Sequence, residues 1–323
     1  MSELAIEQKS MSSQMNIENA VVAHSRASIR RGSKSFSFAS RLLAKDQREA
    51  AMMLYAWCRY CDDRTDIKDR STGLEIKEQN LKDLIAKTAC IYEDGLLEEP
   101  EFAAMRYVVR RYKIPGFYPA ELLKGMEMDL YHKGFETLDE LLHYCYRVAG
   151  VVGLMMVHVL QVSDESALAF AQDMGMAMQL TNIARDIVED AEMGRIYIPR
   201  QWLLEIGLNE ADLLKPTSRE KLAVAAKRLV TEAERLYRSG DKGIAYLPIV
   251  ASFSIVAARQ VYSAIGRKVV RRGAHAWDTR TWIPRWRKFL MLFSVGWTML
   301  LTVPQRLRKP WSPVEVHRVR LFQ

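Results

Sequence analysis

The 323-residue sequence predicts an all-α protein, and three observations carry that prediction. Long segments rich in Ala, Leu, Met, Lys and Glu place apolar residues at three- and four-residue intervals, the period of a helix with one buried face. Runs that alternate apolar and polar residues, the mark of a half-buried strand, are scarce. Prolines punctuate the periodic segments, at Glu99-Pro100, Ile114-Pro115, Tyr118-Pro119, Ile198-Pro199 and Leu247-Pro248, and each predicts a helix break. The clearest segments span 74–92, 101–113, 138–160, 165–190, 218–237 and 249–270, in a bundle of about ten helices. No Gly/Ser-rich linker divides the chain. The expected organisation is a flexible tail over 1–20, one helical domain over 21–283 and a basic, apolar C-terminal segment over 284–323.

Composition narrows the function classes. Hydrophobic residues at 49% and charged residues at 27% suit a packed core and exclude a mainly disordered chain. The polar first 20 residues lack the apolar run of a secretory signal, so Cys58, Cys61, Cys90 and Cys145 are expected as reduced thiols in the cytoplasm. The net charge of +8 is unevenly spread: residues 255–323 carry +12, leaving −4 on the rest. Such a basic end suggests an anionic partner. No nucleic-acid-binding motif accompanies it, which argues against nucleic acid and for a membrane surface. The apolar run 289–303 (FLMLFSVGWTMLLTV) has 15 residues, fewer than the roughly 20 needed to span a bilayer. Arg285, Arg287 and Lys288 precede it, Arg306, Arg308 and Lys309 follow it, and Trp286, Trp297 and Trp311 lie nearby. That pattern fits an interfacial helix; a buried core helix with a solvated basic end fits equally well.

Two carboxylate clusters carry the chemistry. In the first, CRYCDDRTD, Asp62 and Asp66 are four apart and share a helical face, with Asp63 adjacent. The preceding AAMMLYAWC is strongly apolar, so the cluster follows a buried helix. In the second, QLTNIARDIVED, Asn182, Asp186 and Asp190 form an i, i+4, i+8 stripe that Gln179 extends upstream. Leu180, Ile183, Ile187 and Val188 turn another face of this helix inward. A solvated acidic helix end accounts for the first cluster alone, but two acidic stripes that both begin in apolar helices are hard to explain that way. Facing one another across a bundle, they could hold several divalent cations against a diphosphate; hard oxygen ligands suit Mg²⁺ or Mn²⁺.

Other chemistries find less support. Cys58-x-x-Cys61 has no second Cys or His pair at zinc spacing, and the six histidines are dispersed. There is no G-x-S-x-G, no P-loop and no G-x-G-x-x-G.

The residues that carry these patterns resemble the squalene/phytoene synthase family. The pieces are GSKSF at 32–36, YAWCRYCDDRTD at 55–66, YCYRVAGVVG at 144–153 and GMAMQLTNIARDIVEDAEMGRIYIP at 175–199, within a match from about residue 30 to residue 280. The resemblance implies an isoprenoid synthase fold with a central cavity. It implies metal ligation by Asp62, Asp63 and Asp66, and by Asn182, Asp186 and Asp190. It assigns diphosphate binding to Ser33, Lys34, Ser35, Tyr55, Arg59, Gln179, Arg185, Tyr262 and Arg280, with the spacing after Tyr262 drifting from the family pattern. Tyr146 would border the reacting centre, and Ala149, Gly150 and Gly153 would form a wall that prenyl chains pass closely. The implied reaction is head-to-head condensation of two geranylgeranyl diphosphates through prephytoene diphosphate to 15-cis-phytoene, the first committed step of carotenoid biosynthesis. Mg²⁺ or Mn²⁺ would be the cofactor and NADPH would not be needed; some relatives respond to ATP. Contacts with the membrane surface and with neighbouring carotenoid-pathway enzymes would follow.

Rival readings within the resemblance are a squalene or dehydrosqualene synthase acting on two farnesyl diphosphates, and a non-catalytic assembly or membrane-binding protein. The intact acidic motifs argue against the second. Against the first stand Ser40 and Met52, at positions where C15-specific relatives carry bulky aromatic residues. A hydroxyl and a flexible thioether would leave room for a longer chain along the cavity.

Overall fold

The computed structural model describes residues 34–66, 73–131, 134–284, 286–288, 290, 291, 295 and 296, with side chains from Ser37 onward. The expected tail over 1–20, Ser33, the side chains of Lys34 and Ser35, and most of 289–303 lie outside the described residues. The described secondary structure is helical, with no strand. In chain order the α-helices are α1 (Lys34–Ser40), α2 (Lys45–Thr65), α3 (Leu74–Cys90), α4 (Pro100–Tyr112), α5 (Phe117–Leu130), α6 (Leu138–Cys145), α7 (Val151–Val159), α8 (Ser166–Glu192), α9 (Arg200–Glu205), α10 (Arg219–Lys242) and α11 (Ile249–Arg272). A π-helical turn, Tyr146–Gly150, joins α6 to α7.

Most of the predicted breaks are helix starts. Pro100 opens α4 in its first turn, and Pro199 and Pro248 stand at the N-caps of α9 and α11. There the missing N–H removes only a donor that a helix start leaves unpaired. For the same reason the break expected at Tyr118-Pro119 is absent. Pro119 is the third residue of α5, and the helix runs through it to Leu130. At α6 the Thr137 hydroxyl caps the first turn by accepting from the Glu140 N–H at 3.3 Å.

The contacts group the chain into two compact units that meet at Gly116/Phe117. In the first, α2 packs against α1, α3 and α4. Trp57, Leu54, Phe102, Met105 and Ile91 are almost fully buried there. In the second, the 27-residue α8 is the central helix and packs against α7, the π-turn, α10 and α11. Leu180, Ile183, Ile187 and Val188 are buried as their spacing predicted, which leaves the Gln179–Asn182–Asp186–Asp190 stripe on a different face.

The small residues of YCYRVAGVVG have a packing role. A Cβ on Gly153 would stand 2.3 Å from the Ala171 carbonyl oxygen, and one on Gly175 would stand 2.3 Å from that of Ala149. A Cβ on Gly150 would crowd Gln172 and Met176. These residues let α7 and the π-turn approach the backbone of α8.

Two helical stretches, Leu138–Val159 and Ile249–Trp277, are long and apolar enough to cross a membrane by length and composition. In each, 56% of the apolar window is buried within the fold, as in a core helix. Of the apolar run 289–303, Met291 packs on the cluster of Val261, Ile265 and Ile283, Val295 is buried and Leu290 is exposed.

Because backbone rather than a flexible side chain opposes the new methyl, Gly153→Ala and Gly175→Ala should each lower unfolding free energy by about 1–3 kcal/mol or more. Urea titration of both variants checks this, and wild-type stability in either would show that α7 and α8 can separate freely.

Candidate active site

The first carboxylate cluster lies at the end of α2, in the first unit. Arg59 gathers it: Nη1 lies 2.9 Å from Asp62 Oδ2 and Nη2 lies 2.6 Å from Asp63 Oδ1. Burial works against the Arg59 charge, yet Asp62 and Asp63 outweigh it and raise the guanidinium pKa. Helix α2 ends at Thr65, so Asp66 is its C-cap and lies beyond the helix proper. The Asp66 N–H still donates to the Asp62 carbonyl at 2.7 Å, which keeps the two residues one turn apart as their spacing implied. Tyr55 lies half-buried on the same helix.

The second cluster lies on α8, in the second unit. Arg185 donates twice to its neighbour Asp186, from Nε to Oδ1 at 2.8 Å and from Nη2 to Oδ2. Arg280 reaches the same carboxylate, with Nη2 3.3 Å from Asp186 Oδ2, and its Nη1 lies 3.4 Å from Glu189 Oε1. Asp186 is only 13% exposed and is thus flanked by two guanidinium groups. The Asn182 amide donates to Gln179 Oε1 at 3.3 Å. Tyr262 is close enough to contribute to the electrostatics of Arg185. The structure therefore brings Gln179 together with Asn182, and Arg185 with Asp186, Arg280 and Tyr262.

Asp190 is the most perturbed carboxyl of the stripe. Burial and then the Asp186 carboxylate push it up to about 8, against the opposing pull of Arg195. A carboxyl kept neutral by crowding would ionise beside a cation, so cation binding and proton release are linked there. The donor set, carboxylates with one amide, is the hard-oxygen set that suits Mg²⁺ or Mn²⁺. Among the described residues no three His, Cys, Asp or Glu side chains are already gathered as a metal cage.

Tyr146 sits in the π-turn and is 4% exposed. Burial, then Glu121 and Tyr118, raise its pKa, so it offers a neutral ring and hydroxyl instead of a phenolate. Sequence reasoning missed a second group beside the α8 stripe. Asp129, at the end of α5, accepts from Tyr144 at 2.7 Å and from Tyr197 at 2.8 Å, and its charge adds to the upward push on Asp190. The signal was faint, an acid in the last turn of an amphipathic helix and two tyrosines 53 positions apart. A separate groove of about 580 Å³, lined by Lys124, His143 and Arg147 among others, includes none of the predicted site residues.

The remaining candidate chemistry, Cys58-x-x-Cys61, is inert. Burial, with Asp62 adding to it, pushes the Cys58 thiol up to about 12, and burial raises Cys61 as well. All four cysteines are free thiols, and Cys90 alone is exposed.

A family model described as Squalene/phytoene synthase matches residues 29–287. This chain belongs to the squalene/phytoene synthase family. The chain is 45% identical over 254 residues to the 15-cis-phytoene synthase of Pantoea ananas, covering 77% of this chain and 82% of that protein. It is 39% identical over 278 residues to a phytoene synthase of Pseudescherichia vulneris, with 84% and 89% covered. Among solved structures it resembles a dehydrosqualene synthase in complex with ligand, with TM-score 0.78, 25% identity, and 88% of this chain and 98% of that one covered. A squalene synthase of Alicyclobacillus acidocaldarius shares the fold, with TM-score 0.70, 21% identity, and 79% and 95% covered.

The thiol environments yield a direct check. In the native protein at pH 8 a disulfide reagent such as DTNB should modify Cys90 promptly and leave Cys58, Cys61 and Cys145 unreacted until denaturant is added. Rapid native modification of Cys58 would show that its thiol ionises easily and reopen a metal or redox role for the pair.

Proposed function

We propose that this chain is a prenyltransferase that joins two molecules of geranylgeranyl diphosphate head to head, through prephytoene diphosphate, to 15-cis-phytoene. The observation that carries the reading is that both family acidic motifs are intact and each is held by an arginine, Arg59 on Asp62 and Asp63, and Arg185 with Arg280 on Asp186. The 45% identity to a 15-cis-phytoene synthase supports the C40 product over the C30 alternative.

In this reading Asp62, Asp63 and Asp66 form one cation-holding set, and Asn182, Asp186 and Asp190 form the other. A bound Mg²⁺ or Mn²⁺ would supply positive charge to the diphosphate oxygens and so favour departure of the leaving group. The arginines change partners when substrate arrives. Arg59, Arg185 and Arg280 neutralise carboxylates in the free protein, and a diphosphate offers them more acceptor oxygens in the same fork geometry. Ser33, Lys34, Ser35, Tyr55, Gln179 and Tyr262 complete diphosphate binding. Tyr146, neutral and buried, presents its ring to the reacting carbons and helps exclude water from a cationic intermediate. Phytoene formation ends in proton loss, so the reaction needs no NADPH; ATP is at most a stimulator, to be read by adding it to the assay.

Asp62→Asn and Asp186→Asn keep the side-chain volume and remove an anionic ligand, so each should lower turnover on the order of 10²-fold while circular dichroism stays unchanged. Full turnover by both at saturating Mg²⁺ would refute the assignment. With geranylgeranyl and farnesyl diphosphates in competition and no reductant, the wild type should make phytoene with little C30 product. Ser40 and Met52 are both buried in the first unit. Ser40→Phe with Met52→Trp should shift the products towards C30, and mainly dehydrosqualene from the wild type would contradict the C40 reading.

We also propose that the protein works in the cytoplasm as a peripheral membrane protein, within reach of other carotenoid-forming enzymes. Trp282, Trp286 and Leu290 recur every four residues and are 61%, 59% and 57% exposed. Burial and then Arg272, Arg271 and Arg287 lower the Lys268 pKa, which marks a dense positive surface nearby. Tryptophans beside clustered cations suit an anionic lipid interface. Trp282→Ala with Trp286→Ala should release the protein from anionic vesicles, and added salt should weaken the wild-type binding. Unchanged binding by the double variant would exclude this surface.

A further inference from the structure

Arg280 is the one proposed diphosphate ligand of the second unit that no helix carries. It follows α11, a short 3-10 turn (Gly273–Trp277) and two irregular residues, yet it reaches α8 ninety-four positions earlier in the chain. A half-exposed arginine on irregular backbone would ordinarily sample many positions. Three features hold this segment.

The first is Arg272, the last residue of α11. Its Nη1 donates to the Thr279 carbonyl at 2.7 Å and to Thr281 Oγ1 at 3.0 Å, and its Nη2 donates to Thr279 Oγ1 at 3.1 Å. The guanidinium therefore grips the residues immediately before and after Arg280. Thr281 is 1% exposed and its hydroxyl donates a hydrogen bond to the Ala276 carbonyl at 3.2 Å. The second is Trp277, whose Nε1 donates at 3.3 Å to the carbonyl of Ala184, midway between Asn182 and Asp186 on α8. Arg219 of α10 lies over its ring at 5.8 Å. The third is Gly273, the C-cap of α11, with φ +56° and ψ −129°, a conformation that an L side chain rarely adopts and that ends the α-helix there.

We propose that Arg272 and Trp277 form a clasp that positions Arg280 over the α8 carboxylate stripe, and that this clasp sets the affinity for the diphosphate end of the substrate. Trp277 fixes the segment to α8 at the level of the proposed ligands. Arg272 fixes the three residues that carry the Arg280 guanidinium. Neither residue contacts the carboxylates, so both are positioning residues that act through Arg280. The proposal rests on the prenyltransferase reading for its substrate, and the clasp itself is a property of the free protein.

The test has two arms. In the ligand-free protein, hydrogen exchange should rise across 276–282 in Arg272→Met and in Trp277→Phe, with exchange in α10 unchanged; unchanged exchange at 276–282 overturns the clasp whatever the activity. In steady-state assays with geranylgeranyl diphosphate, each variant should raise KM on the order of tenfold with a smaller change in kcat, as expected when a binding group is misplaced. Arg272→Lys, which keeps the charge but loses the fork, should behave like Arg272→Met. Repeating Arg272→Met in an Arg280→Ala background should add almost nothing to KM. An equal effect in both backgrounds would show that Arg272 acts independently of Arg280, and full rescue by lysine that its charge alone suffices; either would overturn its positioning role. Absence of wild-type product from this substrate would refute the prenyltransferase reading, while the exchange arm still decides the clasp.

Discussion

The second unit is organised around a negative charge placed where burial does not favour one. Asp186 is 13% exposed on α8, with Asp190 one turn on and Glu189 beside it. Like charges at this spacing weaken a helix by only a few tenths of a kcal/mol at the surface, but desolvation enlarges the effect. The structure shows both available remedies. Asp186 stays paired because Arg185 and Arg280 converge on it, and Asp190 is driven up to about 8 by burial and by Asp186. In the function proposed above each remedy is exchanged: a cation would replace the proton, and a diphosphate would replace the carboxylate in the arginine forks. On that proposal, a helix that is uncomfortable alone would be matched to a ligand that brings its own cations and anions.

Holding such a stripe requires a helix that cannot roll or fray. Close backbone approach supplies part of that rigidity, through Gly153 against Ala171 and Gly175 against Ala149. A buried polar contact supplies more: Thr181, between Gln179 and Asn182, bonds Tyr237 of α10 at 3.0 Å. Tyr237 in turn lies under Arg259 of α11, which Asp241 holds through two bonds of 3.0 Å. Rotating α8 would break contacts with α7, α10 and α11 together. The first cluster has a simpler support, since Trp57 and Cys61 are fully buried and hold that face of α2 in its core.

Much of this was legible in the sequence, and the reasons are specific. The periodic segments became helices because their apolar spacing decides which face is buried. The α8 stripe was readable because Leu180, Ile183, Ile187 and Val188 define the inward face, and the stripe falls on a different one. Pro119 misled because a proline in a helix's first turn and a proline that ends a helix look alike without the neighbouring hydrogen bonds. The small residues of YCYRVAGVVG were legible only in part: a glycine shows that something approaches closely, and it takes the fold to show that the α8 backbone approaches Gly153. Asp129 was invisible because its meaning depends on Tyr144 and Tyr197, which only the fold brings to it.

The most direct measurement of the central claim is the binding of inorganic diphosphate by calorimetry, with and without Mg²⁺, to the wild type and to Asp186→Asn. If the stripe is built to exchange its proton and its arginine partners for a cation and a diphosphate, Mg²⁺ should strengthen wild-type diphosphate binding by at least about tenfold, and Asp186→Asn should abolish that enhancement. Diphosphate binding that is equally tight without Mg²⁺, or a Mg²⁺ enhancement that survives in Asp186→Asn, would contradict it.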